Sequence, residues 1–344
     1  NSNVAARTAK IFTIDTAKPS ITLSASSTSL GGSQTSTITM TLSEASTDFT
    51  VADITVSGGT LSSFAGSGTR YNVTFTPTGN SISGGRISVA AAGFTDEAGN
   101  ANTDSNTVVF TVDTAKPTAT LVPNPTSLKA DETSTITITL TEPAPDFPLS
   151  DITVFGGSVG TFNGSGARYT LVFTPSENSV ASGRVSIAAG QYTDAAGNAN
   201  TVSNTASISV DTKRPTATLT ASESALAAGQ SSVVTITLSE SASDFTFDDL
   251  TVSGGALGSL SGSGANYSVT FTPVTGSTTS GTISVGAGKF TDAAGNSNVA
   301  SAEKVFAVNT TKPTITLSAS SNSLGMGQTS TITVVLSEAS TNFT

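Results

Sequence analysis

Cysteine, histidine and tryptophan are absent from the 344 residues, and only 11% of the chain is charged. Without cysteine, neither a disulfide nor a thiolate zinc site can hold a fold together. Without histidine, the commonest general base and zinc ligand is missing. Carboxylate chemistry stays possible, but the loss of these groups argues against an enzyme. No apolar run of about 18 residues marks a membrane span, and no leader pattern opens the chain. A formal charge of −10 argues against nucleic acid and anionic membrane as partners, because both require a positive face. Direct membrane insertion is likewise not expected.

What is present is a repeat. Asp15-Thr16-Ala17-Lys18-Pro19 returns as Asp113-Thr114-Ala115-Lys116-Pro117, as Asp211-Thr212-Lys213-Arg214-Pro215 and as Asn309-Thr310-Thr311-Lys312-Pro313, each 98 residues after the last. An ungapped period of that length is one small domain copied head to tail, with the pentad as the hinge. Three full copies are expected at 16–113, 114–211 and 212–309. Residues 1–15 read as the last strand of a preceding copy and 310–344 as the first strands of a following one, a window on a longer array. Acidic against basic residues number 7 and 3, 8 and 4, and 7 and 4 in the three copies, so each carries its own negative surplus and there is no acidic tail.

Inside a copy the apolar period is two, the mark of half-buried strands. Ile38, Met40 and Leu42 alternate with threonines, and the equivalent positions hold Ile136, Ile138, Leu140 and then Val234, Ile236, Leu238. The same alternation marks Ile21/Leu23, Ile54/Val56, Tyr71/Val73/Phe75, Ile87/Val89 and Phe110/Val112, with a short strand expected near Leu61 and Phe64. Gly58-Gly59, Gly66-Ser67-Gly68, Gly79-Asn80 and Gly84-Gly85 punctuate them. No helix follows Gly66-Ser67-Gly68, so it reads as a hairpin tip and not a phosphate loop. Tyr71, Tyr169 and Tyr267 read as core or rim aromatics, and the threonine rows as ordinary exposed strand faces. About seven antiparallel strands in about 100 residues predict an all-β chain of tandem immunoglobulin-like β-sandwiches.

In their order, Leu42-Ser43-Glu44, Ala52-Asp53-Ile54-Thr55-Val56, Gly66-Ser67-Gly68 with Tyr71, Phe75-Thr76-Pro77 and Thr95-Asp96-Glu97-Ala98-Gly99-Asn100 resemble the bacterial immunoglobulin-like repeats of large secreted adhesins and biofilm-associated surface proteins. The resemblance covers the whole chain. It implies stalk modules on the bacterial cell surface, often rigidified by calcium, that support cell adhesion or biofilm formation. The other reading is that the repeats self-assemble into an extracellular filament or sheath. Expected partners are the neighbouring repeats, with other copies of the protein or a cell or matrix surface beyond them.

Strand parity concentrates acid at the end of each copy that meets the hinge: Glu44, Asp48 and Asp53 from one loop region, Asp96, Asn100 and Asp104 from another, and Asp15 from the linker. Clustered carboxylates repel unless a cation sits among them, and calcium, which takes six to eight oxygens, is the cation to expect outside a cell. The expected ligand sets are Asp15, Glu44, Asp53 and Asp96; Asp113, Glu142, Asp151 and Asp194; and Asp211, Glu240, Asp249 and Asp292, completed by carbonyls of turns such as Ala98-Gly99-Asn100. Asn309 removes one charge from the fourth hinge. Against this stands direct neutralisation by Lys18, Lys116, Lys213 with Arg214, and Lys312, and the ordinary use of Asp and Asn in turns. No EF-hand spacing occurs. Proline at the end of each pentad makes the hinge short and stiff.

Overall fold

Period-two alternation becomes strands along the whole chain. The structure, a computed structural model, describes residues 10–340 and 343–344. Two compact units divide it: one holds residues up to 126 with 133–174 and 182–208, the other 127–132, 175–181 and 209–344. Of the strand expected over 1–15, residues 1–9 lie outside the described residues and 10–15 are not in a strand.

In the first unit the first copy comprises β1 (Ile21–Ala25), β2 (Ser29–Gly31), β3 (Ser36–Ser46), β4 (Ile54–Ser57), β5 (Gly59–Pro77), β6 (Gly85–Val89) and β7 (Val108–Asp113). One sheet has the order β1-β3-β5 and the other β2-β7-β6-β4. Register sets Ile21 against Leu42, Leu23 against Met40 and Ile38 against Val73, so the apolar members of each strand share one face. Those faces close on a core in which Ile38, Met40, Phe75 and Ile87 are fully buried, and the threonines between them point outward. The stretch near Leu61 and Phe64 is no separate strand but the first part of β5, which turns over at Gly66 and Gly68.

One pairing departs from the antiparallel expectation. β2 runs parallel to β7, Ser29 opposite Thr111 and Leu30 opposite Val112. The chain bends after β1 without reversing, crosses to the other sheet, and so meets its edge strand while still heading the same way. The equivalent strands Ser127–Leu128 and Ala225–Ala227 pair in parallel too.

Two glycines make room for the central ring. A Cβ on Gly59 would stand 2.5 Å from the Phe75 ring, and one on Gly85 2.6 Å from it. Phe75 thereby stacks on Phe110 at 4.4 Å. Gly157 and Gly183 flank Phe173 in the middle copy, and Gly255 and Gly281 flank Phe271 in the third. The middle copy otherwise repeats the first, with Ala119–Asn124, Ser134–Leu140, Gly157–Ser165 and Arg168–Pro175 in one sheet.

The second unit contains the third copy, from Ala217–Ala221 to Lys304–Asn309, and the corner of the middle copy where Ser127–Leu128 meets Ser209–Val210. Ile315–Ala319 and Ile332–Leu336 pair as a further hairpin with Ile315, Leu317 and Val334 exposed. The described residues contain no α-helix, only single 3-10 turns at Val51–Asp53, Leu149–Asp151 and Phe247–Asp249. No helix among them is long and apolar enough to cross a membrane.

Candidate metal centre

The 90–107 loop between β6 and β7 folds back on itself through a five-residue turn, Asp96 to Asn100. Asp96 Oδ1 accepts the Asn100 backbone N–H at 2.8 Å, Oδ2 accepts from Asn100 Nδ2 at 2.9 Å, and Gly99 supplies the positive φ of 89°. The turn is copied at Asp194–Asn198, where Asp194 also accepts the Ala196 N–H, and at Asp292–Asn296. The Thr103 N–H donates to Pro19 O at 3.0 Å, tying this loop to the incoming linker. Glu44 stands near the end of β3 on the same side.

Carboxylate oxygens of Asp15, Glu44 and Asp96 lie within 4.8 Å of one another, and so do those of Asp113, Glu142 and Asp194. Partial desolvation pushes the Glu142 carboxyl above its ordinary pKa, with the charges of Asp113 and Asp194 adding to it. Glu44 is raised for the same reasons, by desolvation and then by Asp15 and Asp96. Asp96 goes the other way. Desolvation would raise it, but hydrogen bonds from Asn100, Ala98 and Gly99 outweigh that and hold it low. Each trio thus pairs an anchored Asp with a Glu whose charge is poorly compensated, and a hard divalent cation fits such an oxygen donor set.

Not every expected ligand joins. Asp53 sits in the 3-10 turn, where its Oδ2 accepts from the Thr50 N–H at 2.7 Å and the Thr50 hydroxyl at 3.0 Å; Asp249 does the same with Thr246. Their chemistry is local capping, and neither belongs to a trio. Asp151 has Pro148 where the others have threonine. Proline offers neither N–H nor hydroxyl, so Asp151 Oδ2 is buried without a partner, and desolvation followed by the Asp146 charge raises its pKa. Asp48 and Asp104 are likewise spent on loop bonds, to Thr95 and to the Ala91 N–H.

The third set is not gathered as tightly. Asp211, Glu240 and Asp292 fall outside the 4.8 Å grouping, although Glu240 is raised by desolvation and by both aspartates, with Lys213 pulling it back down. At the fourth linker Asn309 Nδ2 donates to Glu338 at 3.3 Å and the Thr311 hydroxyl lies within hydrogen-bond reach of both, so a single carboxylate stands there with an amide beside it.

Two functions of the hinge were not visible in its composition. Thr114 Oγ1 donates to Thr78 O at 2.7 Å and accepts the Ser81 N–H, which fastens the linker to the copy before it; Thr212 and Thr310 do likewise. Asn198 Nδ2 donates to Asp113 O at 3.0 Å while its Oδ1 accepts the Gly32 N–H at 2.8 Å. Asn296 repeats this on Asp211 O and the Ala130 N–H. The signal that could have found them is their recurrence at the same offset in each copy. Tyr192 stands beside the second trio, its hydroxyl buried and unpartnered, its pKa pushed to about 12 by burial and by Glu142.

The family model described as "Bacterial Ig-like domain" matches residues 15–112, 113–210 and 211–308. No curated protein matches the chain in sequence. Among solved structures, the Escherichia coli adhesin FdeC is 14% identical, covering 86% of this chain and 98% of that one at a TM-score of 0.31. Yersinia pseudotuberculosis InvD is 15% identical, covering 84% and 98% at 0.27. The I67–I69 fragment of titin is 11% identical, covering 85% and 98% at 0.37.

Proposed function

We propose, for a chain that belongs to the bacterial Ig-like domain family in three tandem copies, the role of a spacer in an extracellular or surface protein that serves cell adhesion or biofilm formation. The observation that carries this is the hinge. Its threonine is bonded into the copy before it, and the carbonyl of its aspartate is gripped by an asparagine of the copy after it. A linker held at consecutive residues from both sides has little slack, which suits a part whose task is to maintain distance.

Calcium is the finer element of the proposal. It would sit at Asp15, Glu44 and Asp96 and at Asp113, Glu142 and Asp194, neutralising the carboxylates gathered around Glu44 and Glu142. Each anchored aspartate already spends lone pairs on its turn, so the glutamate and the linker aspartate would supply most of the donor oxygens. No catalytic role is assigned to these groups, and the chain has no histidine or cysteine to work with them.

Titration calorimetry of the full chain with calcium chloride tests this. About two equivalents should bind, one for each trio, with a rise in melting temperature. Glu44→Gln with Glu142→Gln should abolish both effects. Absence of heat and of any melting shift in the unmodified chain removes calcium and leaves the hydrogen-bonded hinge alone.

A further inference from the structure

The two joints with both flanking copies described are not chemically alike. We propose that the joint at Asp211 is closed by the chain's own cations, Lys129 and Arg214, while the joint at Asp113 leaves its three carboxylates open to a divalent cation. The second half rests on the calcium reading above; the first half stands without it.

At the Asp211 joint the Arg214 guanidinium pairs with the Asp131 carboxylate, the only ion pair among the described residues, and also reaches Ser297 O at 3.4 Å. Lys129 Nζ donates to Gly295 O at 3.4 Å, on the turn that carries Asp292 and Asn296. Two positive groups, one from each copy, thus hold main-chain carbonyls in and beside the acidic turn directly.

None of this can happen at the Asp113 joint. Positions 98 residues earlier hold Gly31, Ser33, Ala115 and Lys116 in place of Lys129, Asp131, Lys213 and Arg214. Gly31 approaches the following turn so closely that a Cβ there would be 2.3 Å from Ala196 O, so that corner cannot present a lysine in this geometry. Lys116 is bonded only through its backbone N–H, to Asn80 Oδ1. The trio it accompanies is correspondingly tight, within 4.8 Å, whereas the Asp211 trio with its cations is not.

Hydrogen exchange on the full chain, read by mass spectrometry at the segments holding the Gly32 and Ala130 amides, tests this because each amide is bonded to the asparagine of the next copy. Moving from calcium chloride to EGTA should deprotect the Gly32 segment and leave the Ala130 segment unchanged. About 1 M sodium chloride, where the screening length falls to about 3 Å, or Arg214→Ala should deprotect the Ala130 segment. Lys213→Ala with Arg214→Lys rebuilds at the second joint the linker found at the first, and should make Ala130 respond to EGTA. Deprotection of Ala130 by EGTA in the unmodified chain overturns the proposal, as does indifference of Ala130 to both salt and Arg214→Ala. If neither segment responds to EGTA but Ala130 still opens with Arg214→Ala, the calcium reading fails and the cation-closed joint survives.

Discussion

Asn198 Nδ2 lies 3.0 Å from the main-chain oxygen of Asp113, eighty-five residues earlier, and its Oδ1 accepts the amide of Gly32 from the copy before. One side chain, 3% exposed, therefore joins the linker, its own turn and the preceding copy.

Replacing Asn198 with alanine leaves the Gly32 amide and part of the Asp194 carboxylate without partners. The expected cost is about 2–3 kcal/mol, from roughly 1 kcal/mol per net hydrogen bond and more for a buried group left unpaired. Faster exchange of the Gly32 amide, with the third copy unaffected, is the measurable outcome.

Glu142 should govern the metal-free pH response of the middle copy. Its folded pKa is raised, so between 4.5 and that raised value the native state holds more protons than the unfolded one. In calcium-free buffer its contribution is then complete below 4.5 and lost as pH rises through the raised pKa. Glu142→Gln should remove its share of the profile and leave that of Asp151, whereas Glu177→Gln, at an exposed position, should change nothing. Melting curves across pH with calcium removed give the answer.

Gly183→Ala should destabilise the middle copy by about 1–3 kcal/mol or more, because its Cβ would stand 2.4 Å from Phe173 Cζ and the ring has Gly157 on its other side. Adding Phe173→Leu should return part of the loss, since the clash is with the ring. A second substitution that worsens the melting temperature additively would point to backbone strain at position 183 and not to packing.

Pro148→Thr restores to the middle copy the 3-10 cap that Thr50 and Thr246 provide in the others. Asp151 Oδ2 gains donors, and the expected gain is about 1 kcal/mol near neutral pH. The sign follows from the raised pKa of Asp151: in the unmodified chain its contribution is complete below 3.8 and lost as pH rises through the folded value. The advantage of the variant should therefore shrink in acid, which denaturation at two pH values would detect.

The strands, their inward residues and the 98-residue period were determined by the sequence alone, because alternation records burial locally and exact repetition needs no structure to be seen. Ile38, Met40 and Phe75 are fully buried as their spacing requires. Strand parity likewise brought Asp15, Glu44 and Asp96 to one place. What only the tertiary structure decided lies in contacts between residues far apart in the chain. Asp53 and Asp249 sit in the expected region but face their own caps, since a threonine three residues earlier satisfies a carboxylate sooner than a distant cation can. The parallel run of β2 depends on a bend that keeps direction while changing sheets, which no periodicity encodes. The grip of Asn198 on Asp113 and of Arg214 on Asp131 depends on how one copy's turn meets another's corner. Side-chain reach across a joint is set by three-dimensional approach, and residues eighty-three or eighty-five positions apart leave no local trace of it.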